Sequence, residues 1–177
     1  MNVICEITDE CFGEQSIKFN NPYVRYGARG IVQREDGKIA VFNKKNKNEY
    51  KLPGGGIDDG ETPEEAFKRE VLEETGCKIE NIQELGVTKE LKSHENFQQI
   101  SYVFTSKVAK INEKLNLTEK EIEEGGELIW LTLEEALKKI MNSKNTMKES
   151  KYENMYHSKF INYRDTEILK YFLSKKQ

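Results

Sequence analysis

Apolar and polar residues alternate along much of the chain. Ile100, Tyr102 and Phe104 recur at every second position, which predicts a half-buried strand over residues 99–108. Residues 26–33 and 38–42 read as two further strands. Between them stands Glu35-Asp36-Gly37, where Asp-Gly supplies the positive φ of a tight hairpin. Shorter strands are predicted over residues 3–7, 50–52, 82–91 and 127–131. Residues 43–49 are Asn and Lys ending in Glu49, with no apolar residue, and read as a loop. The period then changes. Residues 62–75 read as a helix with both ends marked: Thr62 as N-cap, Pro63 at the first helical position, Glu65 closing a capping box, and Gly76 as the left-handed stop. Phe67 and Val71 share a flank that would pack this helix on the sheet. Thr132 and Glu135 mark a second capped helix over residues 132–140. Ile161, Ile168, Leu169 and Phe172 mark a last one over residues 158–174. Residues 142–152 read as a loop, and residues 112–126 as an acidic stretch ending in Gly125-Gly126. Strands and helices are interleaved, so the class is α/β or α+β.

Composition narrows this further. A chain of 177 residues predicts one domain, here residues 1–177, with residues 141–177 as a helical extension. Charged residues make up 33% and hydrophobic ones 36%, and no run approaches the ~18 apolar residues of a membrane span. The first residues lack the basic start and apolar run of a signal peptide. Net charge is −3, but residues 138–177 carry 10 Lys and Arg against 4 Asp and Glu, so that tail is +6 and the remainder −9. Such a run reads first as a solvated helix face and second as a surface for a polyanion. Cys5, Cys11 and Cys77 are an odd set without a Cys-x-x-Cys pair, which predicts reduced thiols and a cytoplasmic protein. With His94 and His157 far apart, a zinc site is not expected, and any metal should be a hard cation bound by oxygen.

The chemistry concentrates around the first helix. Glu70, Glu73 and Glu74 stand at i, i+3 and i+4 and share one face, where like charges repel unless a cation joins them. Mg²⁺ is the first candidate, with Mn²⁺ as a substitute. Ala66, one turn earlier, would leave room for the ion. Arg69 is the lone arginine of the stretch, and Glu61 is its expected partner. Gly54, Gly55 and Gly56 let backbone approach a ligand, offering carbonyls to a metal or amides to a phosphate. No Gly-Lys-Ser/Thr follows, so this is not a P-loop.

Gly55, Glu61, then Arg69-Glu70-Val71-x-Glu73-Glu74-x-Gly76 resembles the Nudix box over residues 55–77, with Cys77 where that family usually has a branched aliphatic residue. The resemblance extends over roughly residues 23–140. It implies an α/β/α sandwich around a central mixed sheet. It also implies divalent-metal-dependent hydrolysis of the diphosphate bond in a nucleoside diphosphate linked to another group, such as a nucleoside triphosphate, an ADP-sugar or a dinucleoside polyphosphate. By the same resemblance Glu70 and Glu74 are metal ligands, joined by Glu73 and the Gly54 carbonyl, and Arg69 and Glu61 support them. A cation neutralises the diphosphate and activates water, and a carboxylate must take the water's proton. That base is Glu70 or Glu73 within the box, or an acid of residues 119–127, where Glu124 is favoured because Gly125-Gly126 would let it reach the site.

Tyr50, Phe97 and Tyr102 could stack on a base but read mainly as core, as does Trp130. His94 and His157 read as structural, Cys77 as packing, and Tyr163-Arg164-Asp165 as charges that pair along their helix or touch substrate. Specificity is expected from residues 43–49, 92–98 and 112–126. Two alternatives remain: a non-enzymatic nucleotide sensor, and a pyrophosphohydrolase acting on RNA 5′ ends, which the basic tail would suit. A diphosphate isomerase fits less well because the box is complete. The partner is a small nucleotide, not a membrane; a homodimer is compatible.

Overall fold

The structure, a computed structural model, describes residues 2–111 and 114–176. Strands β1 (Val3–Ile7), β2 (Tyr23–Gln33), β3 (Ile39–Lys44), β4 (Glu49–Lys51), β5 (Gly54–Gly56), β6 (Cys77–Lys92), β7 (Phe97–Ile111) and β8 (Gly126–Leu131) form one sheet. The order is β1-β6-β7-β2-β3-β4, with β5 added to β2 and β8 to β3. The β1–β6 and β2–β7 pairs are parallel and the others antiparallel, so the sheet is mixed, as expected. Helices are α1 (Pro63–Thr75), α2 (Glu119–Glu123), α3 (Leu133–Ser143) and α4 (Met155–Ser174).

Strand alternation sorts side chains onto two faces. Ala28, Val32 and Ala40 point to one face and pack with Ala66, Phe67 and Val71 of α1. Ile31, Ile39 and Val41 point to the other and pack with Ile140 of α3 and Ile168 and Leu169 of α4. The result is a helix–sheet–helix sandwich. Ala66 is fully buried in this packing, so its small side chain serves close approach of α1 to the sheet and opens no space for an ion.

Both ends of α1 form as their residues dictate. Thr62 accepts from Glu65 N, the Glu65 side chain returns to Thr62 N, and Gly76 stops the helix at φ 68°. The Asp-Gly hairpin forms too, with Gly37 at φ 84°.

Two readings need correction. Residues 43–49 are not simply a loop, because Asn43 and Lys44 extend β3 between Glu49–Tyr50 of β4 and Gly126–Glu127 of β8. In residues 112–126, Thr118 and Glu121 build a capping box that starts α2. Residues 112 and 113 of that stretch lie outside the described residues.

Candidate active site

A cavity of about 310 Å³ opens beside β5. Residues from α1 line one side, and residues from β2, β6, β7 and α4 line the other.

The α1 side is acidic and oxygen-rich. Glu74 is buried, and its Oε2 accepts from Gly54 N at 2.8 Å. Its Oε1 takes Lys51 Nζ at 2.5 Å, and the same ammonium lies 3.4 Å from the Gly54 carbonyl. Burial, only partly offset by Lys51, raises the Glu74 carboxyl to about 7. Glu70 rests against backbone: a Cβ on Gly55 would lie 2.4 Å from its carboxylate. A side chain at position 55 would displace that carboxylate.

Arg69 ties the group together. Its Nε and Nη2 grip both oxygens of Glu61 at 2.7 and 2.9 Å, and Nη2 also reaches the Gly56 carbonyl at 3.0 Å. Nη1 donates to Glu70 at 2.8 Å and, more loosely, to Glu73 at 3.5 Å. Held by Arg69, Glu61 falls to about 2. Glu73 moves the opposite way, raised by its partial burial and by the charge of Glu70.

Glu70, Glu73, Glu74, Arg69 and Gly54 therefore line one cavity, with Glu61 behind Arg69. Glu124 does not line it. That carboxylate is buried at the end of α2, where one oxygen lies 3.0 Å from Lys44 and the other accepts from Ser150 at 2.6 Å. The acid that α2 does present is Glu121, one helical turn earlier. Asn116 N donates to the Glu73 carbonyl at 2.9 Å, which anchors the start of this segment on α1. Thr118-x-x-Glu121 was the signal in the sequence for Glu121.

The other side is basic. Arg25 and Arg29 of β2, Lys92 of β6 and Arg164 of α4 line it, with Glu90 among them. Phe97 and Gln99 of β7 and His157 of α4 complete the wall. All three segments expected to set specificity contribute, through Lys44, through Lys92 and Phe97, and through Thr118, Lys120 and Glu121. Tyr50 and Tyr102 do not line the cavity. Arg164 reaches it, and also pairs with Asp165 at 2.8 Å and Glu90 at 2.7 Å. The basic tail is thus partly spent on acids of the body, including Lys159 with Glu14 and Lys151 with Glu123.

The Lys51 ammonium, seated between Glu74 Oε1 and the Gly54 carbonyl, shows that these oxygens accept a cation. The donor set, carboxylates and a carbonyl, fits a hard divalent ion. Only Asp9, Glu14 and His94 bring three ligand atoms within 4.8 Å of one another among the described residues. The Asp9 carboxylate accepts hydrogen bonds from Ser93 Oγ at 2.5 Å and the Tyr156 hydroxyl at 2.7 Å. The three box carboxylates stand further apart because Arg69 draws Glu70 and Glu73 while Lys51 draws Glu74.

Residues 24–153 match the NUDIX domain family. A MutT-like protein of Streptomyces ambofaciens is 42% identical over 60 residues, 34% of this chain and 39% of that protein. An RNA pyrophosphohydrolase of Aeromonas hydrophila is 38% identical over 52 residues, 29% of this chain and 30% of its own length. The chain thus spans well under half the length of these curated relatives. Among solved structures, a NUDIX hydrolase of Nitrosomonas europaea superposes with a TM-score of 0.60 over 86% of this chain and 90% of that one, at 16% identity, a likeness of fold.

Proposed function

This chain belongs to the Nudix family, and on that premise we propose that it is a divalent-metal-dependent hydrolase of the diphosphate bond in a nucleoside diphosphate linked to another group. The observation that carries the reading is that one cavity is lined both by Glu70, Glu73 and Glu74 of α1 and by Arg25, Arg29, Lys92 and Arg164 of β2, β6 and α4. A negatively charged polyphosphate suits the wall, and the box acids suit a cation that would sit against it.

Mg²⁺ is the proposed cofactor, held by Glu70, Glu74 and the Gly54 carbonyl with Glu73 beside them, and Mn²⁺ is a substitute. When bound, it neutralises phosphate charge and lowers the pKa of water. The chain's own residues do the rest. Arg69, fixed by Glu61, orients the Glu70 carboxylate through a charge-assisted hydrogen bond. Glu73 is the proposed proton acceptor, because its burial and the charge of Glu70 make it a stronger base than an exposed carboxylate. Glu121 takes the place expected of Glu124 as the acid supplied by α2.

No helix among the described residues is long and apolar enough to cross a membrane, and all three cysteines are free. A cytoplasmic site of action accords with both. The resemblance to an RNA pyrophosphohydrolase supports a second reading, in which the phosphates belong to an RNA 5′ end.

The test is product release from a panel of nucleoside triphosphates, ADP-sugars and dinucleoside polyphosphates, in Mg²⁺ and in EDTA. Turnover should require the metal and fall by about a hundredfold or more in Glu74→Gln. Tight binding of one compound with no turnover of any would instead make the protein a sensor.

A further inference from the structure

Among the described residues, only two buried side-chain nitrogens lack a hydrogen-bond acceptor: Arg29 Nε and Arg164 Nη2. Both residues line the cavity. Arg29 is 6% exposed and Arg164 2%. Buried guanidinium donors left unmatched are costly, so their convergence on one cavity needs a reason.

The two arginines differ in support. Arg164 is oriented by Asp165 and Glu90, which take Nε and Nη1 and leave Nη2 free. Arg29 has no such partners. Asp165, Glu90 and Glu74 influence it by charge through space, while burial and the neighbouring Arg164 lower its pKa to about 10, so it stays protonated at neutral pH.

Their placement is fixed by the sheet. Arg29 alternates with Ala28 and shares a face with Ile31, the α4 side, whereas the box helix packs against Ala28 and Val32. Beside Arg29 is Gly27. A Cβ there would lie 2.8 Å from the Gly55 carbonyl, 2.9 Å from Gln99 Nε2 and 3.6 Å from Arg29 Nη2, so the missing side chain leaves a niche edged by two donors on the Arg29 side and by one carbonyl on the β5 side. Arg25 and Lys92 add positive charge on the same side, against Glu90 and the buried Asp165.

We propose that Arg29 and Arg164, with Gln99 beside them, form a phosphate subsite on the α4 side of the cavity. The subsite holds a terminal phosphoryl group of the substrate, beyond the bond that the box side hydrolyses. Preferred substrates then end in a free phosphate, as a nucleoside triphosphate or a 5′-triphosphate end does, and not in a sugar. This rests on the hydrolase reading for the position of the bond cut, but the anion site itself does not.

The experiment has two arms. In the first, inorganic tripolyphosphate is titrated calorimetrically into the full chain in EDTA, for wild type, Arg29→Met and Arg29→Lys, with thermal melting alongside. Wild type should bind with an affinity that falls as salt rises. Arg29→Met should lose about tenfold or more in affinity, Arg29→Lys should lie between, and melting should fall by no more than about a few degrees, because no hydrogen-bond acceptor is abandoned and Glu90 keeps Arg164 and Lys92. In the second arm, kcat/KM is measured with Mg²⁺ on ATP and on ADP-ribose. Arg29→Met should lower it about tenfold or more on ATP, mostly through KM, and change it little on ADP-ribose.

Equal tripolyphosphate affinity in wild type and Arg29→Met overturns the subsite, as does a wild type that binds none. So does an equal loss on both nucleotides. Hydrolysis of ADP-ribose without tripolyphosphate binding would leave the hydrolase standing and remove the subsite. Arg29-dependent tripolyphosphate binding without any turnover would do the reverse.

Discussion

Gly55 and the Glu70 carboxylate occupy neighbouring space, and the smallest addition to one displaces the other. A Cβ on Gly55 would fall 2.4 Å from that carboxylate. Gly55→Ala should therefore cut turnover by about tenfold or more, since misplacing a catalytic group by an ångström carries a cost of that order or larger. The fold should tolerate the change, so that melting temperature moves little. A variant that melts far lower but keeps its activity when folded would show that the contact is structural. The positions of Arg69 and Glu61 in the sequence predict the pair that forms. Nothing in Tyr50-Lys51-Leu52 reveals that the lysine turns toward Glu74.

At the scale of elements, three helices start with the same device: Thr62 with Glu65, Thr118 with Glu121, and Thr132 with Glu135. Each cap satisfies amides that would otherwise be orphaned. Thr62→Ala should cost about 1 kcal/mol, which for a chain of this size lowers the melting temperature by about 2–4 °C. Denaturant titration checks it, and a midpoint unchanged from wild type would deny the cap its part. These local signals made α1 and α3 legible. α2 is not legible although its cap is written in the sequence, because five residues with little apolar periodicity give no second signal. The last residues of β3 are hidden in the sequence for a related reason. Lys44, Lys47 and Glu49 look like solvated loop residues, yet all three are buried. They neutralise one another together with Glu124 and Glu153, and a polar string says nothing about distant counter-charges.

Across the whole molecule, α4 closes the sandwich and brings charge into it. Glu90 of β6 is fully buried between Arg164, at 2.7 Å, and Lys92, at 2.5 Å. Burial alone would raise its carboxyl, but the two cations, with Arg29 beyond them, lower it to about 2. A carboxyl lowered on folding adds stability that is complete above its unfolded pKa of about 4.5 and is lost as pH falls toward about 2. Glu90→Gln should be less stable by about 3–5 kcal/mol at pH 7, because Lys92 loses its counter-charge and Arg164 keeps only Asp165. The gap to wild type should narrow steadily below pH 4.5. Urea denaturation at pH 7 and pH 3 decides this, and a gap that stays constant would mean Glu90 contributes shape and not charge.

The sequence by itself determined the mixed class, the capped box helix, the hairpin and the cluster of Glu70, Glu73, Glu74 and Arg69. Each depends on residues within a turn or two of one another, or on a short periodicity, so spacing alone encodes it. Only the tertiary structure decided which side of the sheet faces which helix, that Glu121 and not Glu124 lines the cavity, and that Arg29, Lys92 and Arg164 assemble a wall opposite the box. Those residues lie on β2, β6 and α4, far apart along the chain. Their meeting is fixed by strand order and by the packing of α4, and their effect depends on burial, which turns scattered surface-type charges into an electrostatic site.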